Sequence, residues 1–305
     1  MYSAPAKVIL FGEHAVVYGQ PAIAVPVSAL RAVASTQPGS GLHIVAQDLG
    51  KTLPIDISKE VVDDSLALIV KLVLQTLKRP LPDLTITLAS QIPMASGLGS
   101  GAAVAAALAR ALSGALGQPL DNNTLNSLIY EVEKTHHGTP SGIDNTVIVY
   151  EQPVYFVRGQ PPERLIIRQP FTLVVADTGK SALTHVAVGD VRQLYDAQPA
   201  RIQPVLDSIG ALVKDARGAL ESGDTNALGP LMLRNHAYLK QLTVSSPELD
   251  TLVDAAMQAG ALGAKLSGGG RGGNMIALVT PETQTRVEKA LLRAGAVRAF
   301  STLVS

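Results

Sequence analysis

The sequence predicts an α+β chain of two domains. Its 305 residues are about twice a common single-domain length. Hydrophobic residues make up 47% and charged residues 16%, a globular balance unlike that of disordered chains. The apolar pattern also changes period along the chain. Short β-type runs come first, helix-type stretches fill the middle, and alternation returns at the end. The domains are expected at 1–165 and 166–305, with the boundary falling within 150–185.

Residues 2–10 and 15–35 are rich in Val and Ile, are punctuated by Gly12, Gly19 and Pro21, and predict strands. Ser58 can cap a helix running to about Leu77, with Glu60, Asp63 and Asp64 in its first turn and Lys78-Arg79-Pro80 ending it. Leu84, Ile86 and Leu88 alternate with Thr85, Thr87 and Ala89, as in a half-buried strand. A loop, Ser90–Ser100, leads into an Ala-rich helix spanning Ala102–Leu116. Another helix covers Asn123–Thr135, and the turn Gly138-Thr-Pro-Ser-Gly142 breaks it. Strands follow at Val154–Val157, Leu165–Ile167 and Phe171–Ala176. The chain from Ala182 to about Gly260 is mostly helical, with breaks near Gln198-Pro199, Gly223-Asp224 and Ser245-Ser246-Pro247. The end gives strand 262–267, a glycine turn at 268–273, strand 275–280, helix 282–294 and strand 297–304. That order after a helix resembles a ferredoxin-like α+β unit.

Composition excludes several chemistries. There is no cysteine, hence no disulfide framework, no Cys-ligated zinc, no iron–sulfur cluster and no thiol nucleophile. Lys and Arg number 25 and Asp and Glu 25, so the basic surplus of a general nucleic-acid or anionic-membrane binder is missing. Tyr, Phe and Trp number 7, 4 and 0, so the core is built from Ala, Val, Leu and Ile. The apolar run Val8–Phe11 meets Glu13 and His14 at once, unlike a secretory leader. No stretch supplies the ~20 uninterrupted apolar residues of a membrane helix. A soluble, cytoplasmic protein is expected, with neither nucleic acid nor a membrane as partner.

Two glycine-rich segments stand out. Ile92-Pro-Met-Ala-Ser-Gly-Leu-Gly-Ser-Gly101 lies between a strand and a helix. Glycines let backbone approach a ligand, and the N–H groups opening the helix favour an anion such as phosphate. An ordinary strand–helix turn would read the same way. No Gly-Lys-Ser/Thr follows, so it is not a Walker A loop. Ser267-Gly-Gly-Gly-Arg-Gly-Gly273 contains G-x-G-x-x-G but sits between two strands near the end of the chain. It therefore reads as a turn or a second backbone cradle and not as a dinucleotide fingerprint.

Three charges fall in apolar settings. Lys7 lies inside a strand-like run, where a lone lysine ordinarily points to solvent. Asp144 follows Pro140-Ser-Gly-Ile and would ordinarily be a helix cap. Glu133 alone reads as a solvated helix residue. His136 and His137 are adjacent and cannot share a helix face as a zinc pair. No zinc-protease motif and no G-x-S-x-G elbow is present. A glycine loop with an acid, a base and a cation describes phosphoryl transfer.

Four segments in order carry a family likeness: Ala4-Pro-Ala-Lys-Val-Ile-Leu-Phe-Gly-Glu-His-Ala-Val-Val-Tyr-Gly19, Pro93-Met-Ala-Ser-Gly-Leu-Gly-Ser100 with Ala102-Ala103, His137-Gly-Thr-Pro-Ser-Gly-Ile-Asp-Asn145, and Lys265-Leu-Ser-Gly-Gly-Gly-Arg-Gly-Gly273. The chain resembles the GHMP kinases, named for galactokinase, homoserine kinase, mevalonate kinase and phosphomevalonate kinase. The segments at 12–19 and 137–145 are similar to its mevalonate-phosphorylating branch. The likeness implies a two-domain GHMP kinase fold, with an N-terminal ribosomal-protein-S5-like α/β domain and a C-terminal ferredoxin-like α+β domain.

The likeness also implies roles. Ser90, Pro93, Met94, Ala95, Ser96, Gly97, Leu98, Gly99, Ser100 and Gly101 would hold ATP. Asp144 resembles the carboxylate that takes the proton of the mevalonate 5-hydroxyl or orients that hydroxyl. Lys7 resembles its partner lysine, which stabilises charge on the transferring phosphoryl group. Glu133, with Ser100, would bind Mg²⁺. Glu13, His14 and Thr184 would face the substrate, Thr184 in the segment that follows Asp177-Thr-Gly-Lys180. ATP and mevalonate are the partners implied, with a homodimer allowed. The implied reaction makes 5-phosphomevalonate for isoprenoid biosynthesis.

Two departures matter. The family's second loop serine, a metal ligand, is replaced by Gly101. In the third motif Arg271 stands where a small residue is usual and Asn274 where Cys is frequent. Arg271 could contact ATP or an acidic substrate, or face solvent. The alternatives are a phosphomevalonate or other small-alcohol kinase of the family, served by Lys180, Arg192 and Arg271, and a ligand sensor on a kinase fold. A sensor would have no need of Lys7, Glu133 and Asp144 together.

Overall fold

The computed structural model describes all 305 residues except 56, 58–63, 95, 138–139 and 181–183. The elements run β1 (Tyr2–Phe11), β2 (Ala22–Pro38), β3 (Leu42–Ala46), β4 (Lys51–Pro54), α1 (Ser65–Leu77), β5 (Leu84–Ser90), α2 (Ser100–Ala115), α3 (Asn122–His137) and α4 (Ile143–Tyr150). They continue with β6 (Val154–Phe156), β7 (Glu163–Arg164), β8 (Phe171–Asp177), α5 (Thr184–Ala197), α6 (Pro199–Ser222), α7 (Thr225–Gln241) and α8 (Pro247–Gln258). The chain closes with β9 (Gly263–Ser267), β10 (Asn274–Val279), α9 (Gln284–Arg293) and β11 (Arg298–Val304).

The chain divides into two compact units. The first is Met1–Ala6, Leu30–Met94 and Gly99–Glu151, and the second is Lys7–Ala29, Ala95–Leu98 and Gln152–Ser305. The family's glycine loop thus contributes to both, and so does β1.

In the first unit, residues 32–38 of β2 pair antiparallel with β5, β5 pairs parallel with β3, and β3 pairs antiparallel with β4. Helix α2 packs on β5 and on α1, α3 and α4. Its alanines make this possible: Ala102, Ala103, Ala105, Ala106, Ala107 and Ala109 are all buried, and their small side chains let the neighbours come close. Asp64 caps α1 by accepting from the N–H of Ala67 at 2.8 Å. The expected cap at Ser58, with Glu60 and Asp63 behind it, lies outside the described residues. Lys78 ends the helix in a left-handed conformation, φ 51°.

In the second unit, β8, β9, β10 and β11 form an antiparallel sheet in the order β11-β8-β10-β9. Helices lie between β8 and β9 and between β10 and β11, which gives the β-α-β-β-α-β succession of a ferredoxin-like unit. Helices α7 and α8 pack against β9, and α9 against β8 and β11. The glycine-rich run at 268–273 becomes the β9–β10 hairpin turn.

Two expected strands differ. Residues 15–18 form a 3-10 turn instead of strand, because His14 (φ 60°) and Gly19 (φ 80°) reverse the chain on either side. Leu165–Ile167 is not a strand either. The pairing with β6 is made by Glu163–Arg164, after which the N–H of Leu165 donates to the Pro153 carbonyl and that of Arg168 to the Leu220 carbonyl. The Leu165 bond continues the β6–β7 register, but Pro153 has no N–H to return it, so the ladder stops there, and Ile166 is 67% exposed. Among the described residues no helix is long and apolar enough to cross a membrane.

Candidate active site

In the first unit the phosphate-loop candidates are shaped by local bonds. The Ser90 hydroxyl accepts from the N–H of Ile92 at 3.2 Å, and the Ser100 hydroxyl donates to the Ile92 carbonyl at 3.4 Å. Pro93 is half-buried and Met94 is 75% exposed. Gly99 enters the left-handed region, φ 74°, and Ser100 begins α2. Its free N–H groups and partial positive charge favour an anion at that end.

Glu133, on α3, is buried, contrary to the solvated helix residue its sequence context suggests. A Cβ built on Gly101 would lie 3.7 Å from Glu133 Oε1. The carboxylate therefore stands beside the opening turn of α2, next to the position where the family carries its second serine. Asp144 is half-buried in the first turn of α4, after Gly142 at φ 91°. The amide of Asn145 donates to Asn126 Oδ1 at 2.7 Å, which ties the start of α4 to α3. Thus the helix carrying Glu133 and the helix carrying Asp144 are joined by a side-chain bond.

In the second unit Lys7 is 3% exposed, so the solvent-facing expectation fails. It lies within β1 where residues 4–8 are all buried, so both faces of the strand are covered there. Its backbone N–H donates to the Leu98 carbonyl at 3.0 Å. Ser96 and Leu98 are buried, Gly97 is exposed, and Ala95 lies outside the described residues.

Glu13 and His14 do not share one environment. The Glu13 carboxylate meets the ammonium of Lys265, and its second oxygen accepts from Asn235 Nδ2 at 3.3 Å. Burial raises the Glu13 pKa and lowers that of Lys265, and the mutual attraction opposes both shifts. His14 sits at φ 60° and donates from Nε2 to the Gly269 carbonyl at 3.0 Å. Nδ1 is then the lone-pair nitrogen, and it is buried without a partner. Burial, and secondarily the charge of Arg271, lowers the His14 pKa to about 4, against the opposing bond to Gly269. His14 is therefore neutral at pH 7.

The glycine turn is packed backbone to backbone. A Cβ on Gly270 would lie 1.9 Å from the Val244 carbonyl, and one on Gly269 would lie 2.9 Å from Thr184 Oγ1. Thr184 is thus held against the turn that also receives His14. Arg271 adopts φ 59°, where an arginine costs roughly 1–2 kcal/mol. Its guanidinium pairs with Asp190 on α5, and Nε donates to the Thr243 carbonyl at 3.3 Å. Arg271 therefore ties the turn to α5 and to the end of α7.

Lys265, Asn235 and Asp190 were not singled out by sequence reasoning. Lys265 carried the same signal as Lys7, a lone charge in an apolar run. The others are ordinary polar residues on helices, whose partners are set by packing.

Two family models match the chain: the GHMP kinases N terminal domain over residues 66–152 and the GHMP kinases C terminal over residues 216–297. The mevalonate kinase of Thermococcus sibiricus is 37% identical over 96% of this chain and 92% of its own. The chain belongs to the GHMP kinase family. Among solved structures, the L. major mevalonate kinase in complex with R-mevalonate is 31% identical, with a TM-score of 0.86 over 99% of this chain and 95% of that one. The Methanococcus jannaschii mevalonate kinase is 27% identical, with a TM-score of 0.87 over 99% and 98%. As a GHMP kinase the chain is an enzyme of ATP-dependent phosphoryl transfer, chemistry that generally uses a divalent metal.

Proposed function

We propose that this kinase transfers the γ-phosphoryl group of ATP to the 5-hydroxyl of mevalonate. The observation that carries the reading is full-length identity of 37% with a protein named mevalonate kinase. Asp144 accepts the hydroxyl proton or orients the hydroxyl, and Lys7 stabilises charge on the phosphoryl group. A loose transition state asks more of this positioning and electrostatics than of a strong base. The N-terminus of α2 and the loop 93–101 hold the phosphates. Glu13, through Lys265, supports the segment that carries His14, while His14 and Thr184 face the acceptor.

The donor set fits Mg²⁺. Glu133 offers a hard carboxylate oxygen beside the opening turn of α2. Among the described residues no cluster of three or more His, Asp or Glu could hold a metal, so phosphate oxygens and water would complete the shell, as is usual for Mg²⁺. The metal supplies charge neutralisation on the phosphates. A cytoplasmic homodimer is part of the same reading, and sedimentation velocity tests the dimer.

A coupled ADP-release assay against mevalonate, phosphomevalonate, homoserine and galactose tests the function. Mevalonate is the expected acceptor. Turnover with phosphomevalonate but not mevalonate overturns the assignment.

A further inference from the structure

We infer that Asn274 is a positioning residue that decides which face of the phosphate loop meets the nucleotide. The inference rests on the reading that the loop 93–101 holds ATP phosphates. Asn274 opens β10 and is 1% exposed, paired in register with Ser267 on β9 and Asp177 on β8. Its Nδ2 donates to the carbonyl of Ser96.

The site around that carbonyl is built. A Cβ on the preceding residue, Gly273, would stand only 3.1 Å from the Ser96 oxygen, so the carbonyl rests against the Gly273 backbone. Gly273 is itself fixed on both sides. Its carbonyl accepts from the N–H of Thr178 at 2.9 Å and from Thr178 Oγ1 at 3.0 Å, and its N–H donates to the Lys180 carbonyl at 2.8 Å.

Peptide planarity carries the consequence. In a trans peptide the C=O of one residue and the N–H of the next point in opposite directions. With the Ser96 carbonyl turned to Asn274, the N–H of Gly97 is turned away from the hairpin. Gly97 itself is exposed. The Leu98 carbonyl is held likewise by the backbone N–H of Lys7, which aims the following N–H away from β1.

Glycine at φ 82° makes the turn possible at position 97, but glycine also lets the Ser96–Gly97 peptide flip at little cost. A flipped peptide would present a carbonyl to an anion. The Asn274 amide opposes that flip. The Oδ1 of the same amide is buried without a partner, so the Nδ2 bond is what orients the side chain.

The test is equilibrium binding of ATP and of AMP, without acceptor, to the full chain and to Asn274→Asp and Asn274→Ala. Asn274→Asp keeps the shape and turns an acceptor toward the Ser96 carbonyl. We expect it to weaken ATP about tenfold or more, roughly 1.4 kcal/mol, with AMP within about twofold, because the flipped peptide concerns the outer phosphates. Asn274→Ala should fall between. Folded Asn274→Asp that binds ATP like the parent overturns the inference, and so does an equal loss of ATP and AMP, the mark of a merely structural role. If Asn274→Asp fails to fold, Asn274→Ala decides by the same criteria. A parent protein that binds AMP as tightly as ATP overturns the phosphate-loop reading itself, and Asn274's role with it.

Discussion

The carboxylate of Glu13 and the ammonium of Lys265 lie 252 positions apart and form an ion pair in which neither side chain reaches solvent. Asn235 holds the other Glu13 oxygen, its own Oδ1 accepts from the N–H of Gly12 at 3.4 Å, and Lys265 also donates to the Leu266 carbonyl at 2.6 Å. Removing one partner leaves a buried charge uncompensated, which costs about 3–5 kcal/mol. Lys265→Met and Glu13→Gln should each destabilise by that order. The double variant should lose clearly less than the sum, because the stranded charge is gone. Denaturant titration of the four proteins measures the coupling, and additive losses would count against the pair.

His14 gives the chain a signed pH dependence. Its pKa is about 4 in the folded protein, against about 6.5 for an unperturbed imidazole. Between those values the unfolded chain binds more protons than the native state, so stability rises with pH. The contribution is complete above about pH 6.5 and is lost as pH falls toward 4, roughly 3 kcal/mol in all. Glu13, whose pKa is raised by burial, acts in the opposite sense above the ordinary carboxylate range. The comparison must therefore be between the parent and His14→Gln across this window. Their stability difference should shift in the variant's favour on acidification, and parallel pH curves would show that His14 is not buried neutral.

Asp144→Asn should lower kcat by roughly 10²–10⁴, the range of a positioned acid–base group, while ATP affinity changes little. Lys7→Met should also act chiefly on kcat. Steady-state kinetics with mevalonate, together with direct ATP binding, separate the two quantities. Near-normal kcat in Asp144→Asn would remove it from the chemistry.

Gly101→Ser is a gain-of-function test. A Cβ there sits 3.7 Å from Glu133 Oε1, an ordinary contact, so serine fits without displacing the carboxylate. The added hydroxyl should lower the Mg²⁺ concentration needed for half-maximal rate by about 2–5-fold, a few tenths of a kcal/mol to about 1. Serine is also the better helix former by a few tenths of a kcal/mol. An unchanged Mg²⁺ titration would mean that position 101 does not face the metal.

Gly229 on α7 and Gly263 on β9 meet backbone to backbone. A Cβ on Gly229 would lie 2.1 Å from the Leu262 carbonyl oxygen, and one on Gly263 would lie 2.5 Å from the Gly229 Cα. Backbone cannot yield as a flexible side chain can, so Gly229→Ala should cost about 3 kcal/mol or more, at the upper end for overpacking. Thermal unfolding checks it. Because α7 carries Asn235 to Glu13 and His236 to the Leu266 N–H beside Lys265, a folded Gly229→Ala protein should also lose activity.

The order of elements was legible wherever hydrophobic period and glycine or proline punctuation agreed. The β8-to-β11 unit, the Ala-rich α2 and the glycine hairpin follow from such local signals, which act within a few residues. The same holds for the proposed phosphate loop: its glycines and the helix after it are neighbours in sequence. The signals failed at 15–18, where His14 takes a left-handed conformation that no propensity announces, and at 165–167, where the facing Pro153 has no N–H to carry the ladder on.

Burial and partnership were decided only by the tertiary structure. Lys7 and Glu133 read as solvated and are buried. The partners of the two Glu13 oxygens, Lys265 and Asn235, come from 252 and 222 positions away. Arg271 stood open between ligand and solvent, and the fold pairs it with Asp190. Asn274 read only as a replaced cysteine, and the fold aims its amide at Ser96, 178 positions away. The reason is physical: desolvation and hydrogen-bond geometry depend on which segments pack together, and a charge in an apolar run carries no mark of what will face it.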